Sequence, residues 1–413
     1  MRVLFFCEPC TLSHVLRPLA YARLLPSREF EPHFACSYDP AARHGRPGET
    51  WPFHPVAGCV TIAEFTAALA RGALPYDRPT IERYIAEDLR VLDEVRPDVV
   101  VGDFRLSLGI SAPLRGVPYV ALINAVWSPY VRRRFPVPEL PIIGLLGVRL
   151  TSLLFPLVRP IAFAGLARPF ERARRARGLG SFGGLLATYS WGDFTAYPDL
   201  PDLFDTDDLP DTHRFIGAAT YGPHVPLPGW WDEVPTRRPW IYVAMGSSGR
   251  AGALPAIVEA LAALEVEVIV ATSERGVAAP RLPNVWTSEW LPLDSVLGRA
   301  SVAIGNGGAG GVYYALTHGV PVLSVPANMD QHMVAEAVAR TGAGLLVRSD
   351  RATPSGVRDA TLRLLREDAF RDRAGSLART MRETDVAAAF QRLLRDTRAG
   401  RDPACPRHRP ASE

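Results

Sequence analysis

A histidine and an aspartate each follow a short apolar run, and together they have the residue types of a general base. His14 lies shortly after the run Arg2–Cys7, and Asp103 follows the run 98–102. If both runs are neighbouring parallel strands, their carboxyl ends meet at one sheet edge and the two side chains can touch. A carboxylate that holds an imidazole fixes its tautomer and stabilises the imidazolium. The alternative, a His14 that only caps or packs at a helix start, is equally compatible with these residues alone.

A glycine-rich turn in the second half of the chain has the pattern of a phosphate site. The apolar run 301–304 stops at the sequence GNGGAGG, and helical spacing follows. A strand, a glycine turn and a helix start offer free backbone N–H groups and a positive dipole end to an anion. The candidate contacts in this turn are Asn306, Gly307, Gly308, Gly310 and Gly311.

Five further residues are candidates for the same ligand. Asp330 and Gln331 follow another apolar run, 321–325, while Ser247 and Ser248 follow a run near 240–245. Asp330 could be only a helix N-cap, and the serines an ordinary turn. Trp290 could be a core residue, since tryptophan is mostly buried. The chain has two glutamines, and the position of Gln331 beside Asp330 favours a polar site.

Length and composition narrow the class of protein. A chain of 413 residues suits two domains of about 200 residues each. The net charge of +3 is too small to indicate a nucleic-acid partner. All 46 basic residues are arginine. This excludes the lysine of P-loop enzymes and kinases, and every Schiff-base mechanism.

The cysteines and the N-terminal sequence indicate a reducing compartment. The five cysteines are sparse and odd in number, and no signal peptide precedes the first predicted strand, so we expect a cytoplasmic protein. Cys7 and Cys10 have thioredoxin-like spacing, but a redox domain would leave most of the chain unexplained. We also expect no apolar run long enough for a clean membrane span.

Short apolar runs alternate with helical spacing along both halves of the chain. In the first half we predict helices at 14–25 and 81–95 and strands at 34–37, 98–102 and 119–122. In the second half we predict a helix at 333–340. This alternation predicts an α/β fold built on doubly wound parallel sheets.

The order of the motifs resembles the UDP-glycosyltransferase superfamily, in particular the bacterial natural-product glycosyltransferases of GT-B architecture. Trp290-Leu291-Pro292 matches the base-stacking segment, GNGGAGG an HxGGxGT-like turn, Gly319-Val320-Pro321 the GVP element and Asp330-Gln331 the sugar-contacting pair. LSHVLRPLAYARLL is similar to the GHxxPxxxLA segment, which places His14 on the catalytic histidine. VVVGDF resembles the segment that bears its partner Asp103.

The resemblance implies two Rossmann-like domains that face each other across a cleft. We expect an acceptor-binding domain at 1–220, a linker at 221–238, a nucleotide-sugar domain at 239–384, a helix at 385–396 that packs back on the first domain, and a flexible tail at 397–413. Several residues depart from the family pattern: Asn306 replaces a histidine, Gly311 a Ser or Thr, Tyr314 a ribose-binding glutamate and Leu293 a glutamine. These departures affect the expected identity of the donor more than they affect the expected fold.

The implied function is inverting sugar transfer from a UDP- or TDP-sugar to a hydroxyl or amine, with no metal and no bound cofactor. Asn124 and Trp127 are the candidate acceptor contacts, with the apolar region 137–167 as a wall of the cleft. Apolar walls suit a small lipophilic acceptor such as a secondary metabolite. If the acceptor is a lipid, we expect peripheral membrane contact; buried helices without a ligand are the remaining interpretation of that region. The oligomeric state stays open.

Two other functions are compatible with this fold. One is a nucleotide-sugar isomerase, which would not need the long apolar region. The other is a non-catalytic partner subunit, against which the presence of both His14 and Asp103 counts.

Overall fold

The computed structural model describes residues 1–137, 139, 141–272 and 277–400, and its described strands form two parallel sheets. The first sheet has seven strands in the order β3-β2-β1-β4-β5-β6-β7. They are β1 (Arg2–Cys7), β2 (Glu31–Cys36), β3 (Phe53–Pro55), β4 (Val99–Asp103), β5 (Tyr119–Leu122), β6 (Phe194–Tyr197) and β7 (His213–Phe215).

The second sheet has six strands in the order β10-β9-β8-β11-β12-β13. They are β8 (Trp240–Ala244), β9 (Glu267–Ala271), β10 (Val285–Ser288), β11 (Ala300–Gly305), β12 (Val322–Ser324) and β13 (Gly344–Leu346). In both sheets every pairing between strands is parallel, so the carboxyl ends of each set of strands lie at one edge. The predicted α/β fold with two doubly wound sheets is confirmed.

Helices join the strands and cover the sheets. Those connected with the first sheet are α1 (Ser13–Ala22), α2 (Pro40–His44), α3 (Ile62–Leu69), α4 (Arg78–Val95), α5 (Leu108–Arg115), α6 (Pro141–Arg175) and α7 (Leu185–Tyr189). Those that follow are α8 (Leu254–Ala262), α9 (Leu293–Leu297), α10 (Ala309–Thr317), α11 (Met329–Thr341), α12 (Pro354–Arg366), α13 (Asp368–Glu383) and α14 (Val386–Ala399).

Capping side chains explain where the helix α11 begins. The side chain of Asn328 accepts a hydrogen bond from the backbone N–H of Gln331, and Gly342 ends the helix in a left-handed conformation. The predicted start at residue 333 was therefore wrong by four residues, because Met329, Asp330, Gln331 and His332 already form its first turn.

The apolar region around 137–167 differs from its prediction. Two helical segments join at a kink at Gly147 to form α6, which runs to Arg175 with Pro156, Pro160 and Pro169 inside it. By length and composition alone, the part Gly147–Arg175 is long and apolar enough to cross a membrane, so the expectation that no run reaches that length was wrong. A proline weakens a helix without ending it when the flanking residues favour helix.

The last helix packs on the first sheet, next to α1. The ring of Phe390 lies 4.8 Å from that of Tyr21, and Gln391 Nε2 donates to the carbonyl of Leu24 at 2.8 Å. The predicted flexible tail began too early, since Thr397 is buried and its hydroxyl bonds the Leu393 carbonyl at 2.7 Å within α14. Residues 401–413, with Cys405, lie outside the described part of the chain.

The segment expected to link the domains is anchored at its end to the second sheet. Trp231 is buried, and its ring packs edge-on against that of Trp240 at 5.2 Å. Residues near 231 therefore pack against the second sheet. The domain boundaries themselves stay a prediction.

Candidate functional site

One large cavity of about 1530 Å³ opens between the two sheets. It is lined by His14 and by all the residues predicted from the sequence for the donor and the acceptor: Ser247, Ser248, Trp290, Asn306, Gly307, Gly308, Gly310, Gly311, Asp330, Gln331, Asn124 and Trp127. Asp103 is fully buried behind His14. The structure thus brings the residues singled out in both halves of the sequence to one site.

The strand register explains how His14 meets Asp103. β1 and β4 are neighbours, and Cys7 is paired with Asp103 at their carboxyl ends. The loop after β1 leads into α1, where His14 is the second residue, and its Nδ1 lies 2.7 Å from Asp103 Oδ1. A carboxylate on Nδ1 leaves Nε2 as the nitrogen that can take a proton from a bound hydroxyl.

An aromatic ring supports the other side of His14. The ring of Phe104 stacks on the imidazole with centroids 4.9 Å apart and an angle of 9° between planes. Phe104 has a φ of 58°, in the left-handed region that non-glycine residues rarely adopt. This local strain places a ring beneath the imidazole in the turn that directly follows Asp103.

Arg17 is part of this site, although the sequence reasoning missed it. Its Nε donates to Asp103 Oδ2 at 2.6 Å, so one carboxylate serves both His14 and Arg17. Burial by itself would raise the pKa of Asp103, but the charges of Arg17 and His14 outweigh it and hold that pKa below its ordinary value. The signal was available in the sequence, since Arg17 lies three residues after His14 and therefore on the same helix face.

A chain of hydrogen bonds continues from Arg17 into the second domain. Arg17 Nη1 donates to Asn124 Oδ1 at 2.7 Å, and Asn124 Nδ2 donates to Asp199 Oδ1 at 2.9 Å. Asp199 also accepts a bond from the hydroxyl of Tyr313 on α10. Asn124, a predicted acceptor contact, thus lines the cavity while its amide bridges Arg17 and Asp199. Asp199 follows β6, so a search for polar residues after each strand would have found it.

A second buried charge cluster fixes the loops that carry His14 and Phe104. Glu8 lies just after β1, and its Oε2 is 3.2 Å from Nη1 of Arg105. Arg105 Nε donates to Asp88 at 2.9 Å, and the Tyr84 hydroxyl donates to Glu8 at 2.8 Å. Burial raises the pKa of Glu8 even though Arg105 opposes the shift. No spacing in the sequence indicates this cluster, because its members come from separate elements.

The cysteine pair near His14 does not have the surroundings of a redox site. Cys7 and Cys10 are free and buried, and burial raises the pKa of both thiols well above the ordinary value. Since the thiolate is the reactive species, these are unreactive core side chains.

The glycine turn after β11 is held close to the neighbouring loops. Gly307 has a φ of 77°, and a Cβ there would come within 3.0 Å of the Gln331 carbonyl. Asn306 Oδ1 accepts from the N–H of Gly308 at 3.1 Å. The helix α10 begins after Gly308 without a side-chain cap, which leaves N–H groups of its first turn available for an anion.

The two predicted serines contact both domains. Ser248 Oγ accepts from Gln331 Nε2 at 3.1 Å, and Ser247 Oγ accepts from the backbone N–H of Leu12 at 3.2 Å. Their strand β8 pairs directly with β11, so both loops reach the same edge. The loop before His14 is therefore in contact with the predicted phosphate site.

A predicted acceptor residue and a predicted sugar residue meet in the cavity. Trp127 Nε1 donates to Asp330 Oδ1 at 2.6 Å. Loss of water around the half-buried carboxylate raises the pKa of Asp330, and the bond from Trp127 counters part of that shift. This contact joins the two domains inside the cavity.

Two departures from the family pattern have different surroundings. A Cβ at Gly311 would meet nothing within 4 Å. The hydroxyl of Tyr314 donates to Asp294 Oδ1 at 2.9 Å, and its ring stacks on His318 at 5.6 Å. The tyrosine that replaces the expected glutamate therefore pairs with a carboxylate of α9.

Two facing parallel-sheet domains, with a paired histidine on one and a glycine-rich anion turn on the other, define a GT-B glycosyltransferase. Residues 255–389 match the family model described as erythromycin biosynthesis protein CIII-like, C-terminal domain. A PGL/p-HBAD biosynthesis glycosyltransferase of Mycobacterium tuberculosis is 43% identical over 378 residues, which cover 91% of this chain and 88% of that protein.

Further relatives point the same way. A PGL/p-HBAD biosynthesis rhamnosyltransferase of Mycobacterium bovis is 41% identical over 91% of this chain and 83% of its own length. The crystal structure of the glycosyltransferase VinC in complex with DTDP superposes with a TM-score of 0.68, at 21% identity, over 97% of this chain and all of that one. The chain belongs to the UDP-glycosyltransferase superfamily and is a glycosyltransferase. None of these names refers to an isomerase. An inactive PGL/p-HBAD biosynthesis glycosyltransferase of Mycobacterium bovis is also similar, with 44% identity over 63% of this chain and 70% of its own length.

Proposed function

We propose that this enzyme transfers a sugar, with inversion at the anomeric carbon, from a TDP-sugar to a hydroxyl of a lipophilic acceptor. The observation that carries the proposal is the cavity in which His14, paired with Asp103, faces the glycine turn before α10. His14 removes the proton from the acceptor hydroxyl, whose oxygen attacks the anomeric carbon. The bond to the nucleoside diphosphate breaks on the opposite face, and TDP leaves.

The leaving pyrophosphate is stabilised by backbone groups. The N–H groups at the start of α10 and the hydroxyls of Ser247 and Ser248 are the donors within reach of the turn. A helix N-terminus and preorganised N–H groups stabilise developing negative charge without a lysine. We propose that no metal is needed. Among the described residues, no three His, Cys, Asp or Glu side chains cluster as metal ligands.

The donor base is proposed to be thymine, with uracil as the alternative. Trp290 follows β10 and lines the cavity, where its ring can stack on either pyrimidine. The VinC structure contains DTDP, and the M. bovis relative is named a rhamnosyltransferase. We therefore propose a TDP-linked deoxy sugar such as rhamnose, which Asp330 and Gln331 would contact.

The acceptor is proposed to be a lipophilic phenol or a related hydroxyl compound. The first-domain wall of the cavity includes the apolar side chains of Phe65, Leu69, Phe155, Phe163 and Leu166. Trp127 offers the flat surface on which an aromatic acceptor could lie, next to Asn124. This apolar wall supports an acceptor with a large apolar part, and the names of both relatives refer to PGL/p-HBAD biosynthesis. We propose that the reaction takes place in the cytoplasm.

Thermal unfolding with nucleotides tests the donor assignment. TDP, UDP, GDP, ADP and NAD are added separately to the purified protein. A ligand at about 100 times its dissociation constant stabilises by roughly 2.7 kcal/mol, which raises Tm by a few degrees in a protein of this size. We expect the largest shift with TDP. A shift with NAD alone, or with none of the five, contradicts the proposal.

A product assay then tests inversion and metal independence. TDP-rhamnose and a phenol are incubated with the enzyme in the presence of EDTA, and the anomeric configuration of the product is read by NMR. We expect undiminished turnover and a configuration opposite to that of the donor. Retention of configuration, or turnover that EDTA stops and magnesium restores, contradicts the mechanism.

A further inference from the structure

The helix α6 exposes a continuous apolar stripe that the proposed chemistry does not use. Six large aliphatic side chains on it are exposed, by 41% at the least and 76% at the most. They are Leu150, Leu153, Leu154, Leu157, Val158 and Ile161. Because they are spaced three or four residues apart, they lie on one face of the helix. A stripe of this size on a protein surface marks a contact with another apolar body.

The same face of α6 continues into positive charge. Arg168, Arg172 and Arg175 follow Ile161 at the spacing that keeps them on the stripe, and all three are exposed. From residue 141 to 170 the sequence has no Asp or Glu. Glu171 lies among the arginines, but its carboxylate accepts from the backbone N–H groups of Phe182 and Gly183. The outward face therefore presents aliphatic groups followed by cations.

The opposite face of α6 belongs to the cavity. Phe155, Phe163 and Leu166 line it, and Ala167 and Phe170 are buried in the core. A helix that left this position to cross a membrane would remove one wall of the site. The contacts on this face therefore favour a helix that lies along a surface, not one that spans the bilayer.

We propose that the outward stripe of α6 docks this enzyme on an anionic lipid bilayer, with the helix in the plane of the interface. Aliphatic side chains on one sector with arginines beside them are the pattern of interfacial helices. The aliphatic part of the stripe has no Tyr, Trp, Phe or Met, which together with Arg are the residues enriched at contact surfaces between proteins. The arginines supply the attraction to acidic headgroups.

Docking in this orientation gives the cavity a direct route to the membrane. The docked face and the cavity wall are opposite sides of one helix, so a lipophilic acceptor would travel only the width of α6 between bilayer and site. This consequence rests on the proposed function, whereas the docking itself does not.

Vesicle sedimentation tests the docking. The full chain is mixed with phosphatidylcholine vesicles with or without phosphatidylglycerol. The triple variant Leu153→Gln, Leu157→Gln, Ile161→Gln is compared with the control Leu227→Gln, Leu282→Gln, whose leucines are exposed elsewhere. We expect the wild type and the control to bind acidic vesicles, and the triple variant to partition at least about tenfold less. Equal sedimentation of the triple variant and the wild type overturns the proposal.

A second variant tests the charges. Arg168→Gln with Arg172→Gln and Arg175→Gln should abolish the preference for phosphatidylglycerol while leaving a weaker binding to neutral vesicles. Salt at roughly 0.5 M screens surface charges well. If this salt does not reduce the binding of the wild type to acidic vesicles, the arginines do not have the proposed role. If the wild type forms a dimer that the leucine variant loses, and neither binds vesicles, the stripe is an interface between copies and the bilayer proposal fails.

Control measurements separate docking from folding and from catalysis. The triple variant should keep the Tm of the wild type and its Tm shift with TDP. If the triple variant does not fold, vesicle sedimentation is measured on the single variants Leu153→Gln and Ile161→Gln. Transfer to a water-soluble phenol should be unchanged in the triple variant, while transfer to a long-chain alkylphenol in vesicles falls. If the triple variant no longer sediments with vesicles and the wild type transfers no sugar, the docking proposal stands and the proposed function fails.

Discussion

The two sheet edges that face the cavity are organised by different forces. At the first-sheet edge, buried charges hold one another: Asp103 with His14 and Arg17, and Glu8 with Arg105. At the second-sheet edge, the turn at Gly307 and the start of α10 offer backbone groups, and small hydroxyls stand beside them. In the proposed function, the first edge transfers the proton and the second binds the anion.

This difference predicts different sensitivities. A buried charge that loses its partner is costly, so single substitutions at the first edge should affect both rate and stability. A backbone site tolerates most side-chain changes but not an added Cβ where the chain is tightly packed. Each of the following variants tests one side of this comparison.

The largest effect on rate is expected from the first edge. His14→Ala removes the proposed general base, and general-base catalysis contributes about 10²- to 10⁴-fold. We expect kcat to fall by that factor while the Tm shift with TDP is unchanged, as measured by initial rates and thermal unfolding. His224→Ala, a change at an exposed histidine, is the matched control. If His14→Ala retains activity within about tenfold of the wild type, His14 is not the base.

The buried cluster behind His14 should dominate stability. Arg105→Met leaves Glu8 and Asp88 buried without their cation, and breaking such a cluster costs about 3–5 kcal/mol. Urea unfolding measures the loss. The control Arg115→Met removes the exposed pair with Asp93 and should change the midpoint far less. Equal losses in both variants would mean that burial of the cluster adds nothing.

At the second edge, an added methyl group should weaken donor binding. Gly307→Ala places a Cβ within 3.0 Å of the Gln331 carbonyl at a φ of 77°. We expect the dissociation constant of TDP to rise about tenfold, which corresponds to about 1.4 kcal/mol, by calorimetric titration. Gly178→Ala has a similar φ of 72° and nothing within 4 Å, so it controls for backbone strain alone. Equal TDP affinity in wild type and Gly307→Ala would remove this turn from the donor site.

The smallest expected effect concerns the contact between the two edges. Because the folded-state pKa of Asp330 is raised, folding takes up a proton between about pH 3.9, the ordinary aspartate value, and the raised pKa. The free energy of unfolding therefore declines as pH rises through that window. Asp330→Asn has no carboxyl group to titrate at this position and keeps an oxygen that accepts the bond from Trp127. The difference between its Tm and that of the wild type should therefore increase as the pH rises through the window. A Tm difference that is constant with pH would contradict the shift.

Sequence reasoning was most successful where the signal is local. The strand, glycine turn and helix start at 300–317 lie within one short stretch, and the structure has all three there. It was least successful for partners that are distant in the chain. Arg105 meets Glu8 and Asp88 from three separate elements, and no spacing in the sequence connects them.

The apolar helix α6 illustrates a different limit. Its composition was visible in the sequence, but a run of Leu, Ile and Val is equally consistent with a buried helix and an exposed one. Prolines and arginines within it obscured its length. Only the packing showed that one face lines the cavity while the other faces outward.

By itself the sequence determined the two-domain α/β fold, the family and part of the set of residues that line the cavity, because strand periodicity, turn glycines and motif order are local properties of the chain. The tertiary structure decided which charges pair, which side of α6 is exposed and that Trp127 meets Asp330 across the domain boundary. These depend on distances between elements far apart in sequence, which are fixed when the sheets form and face each other.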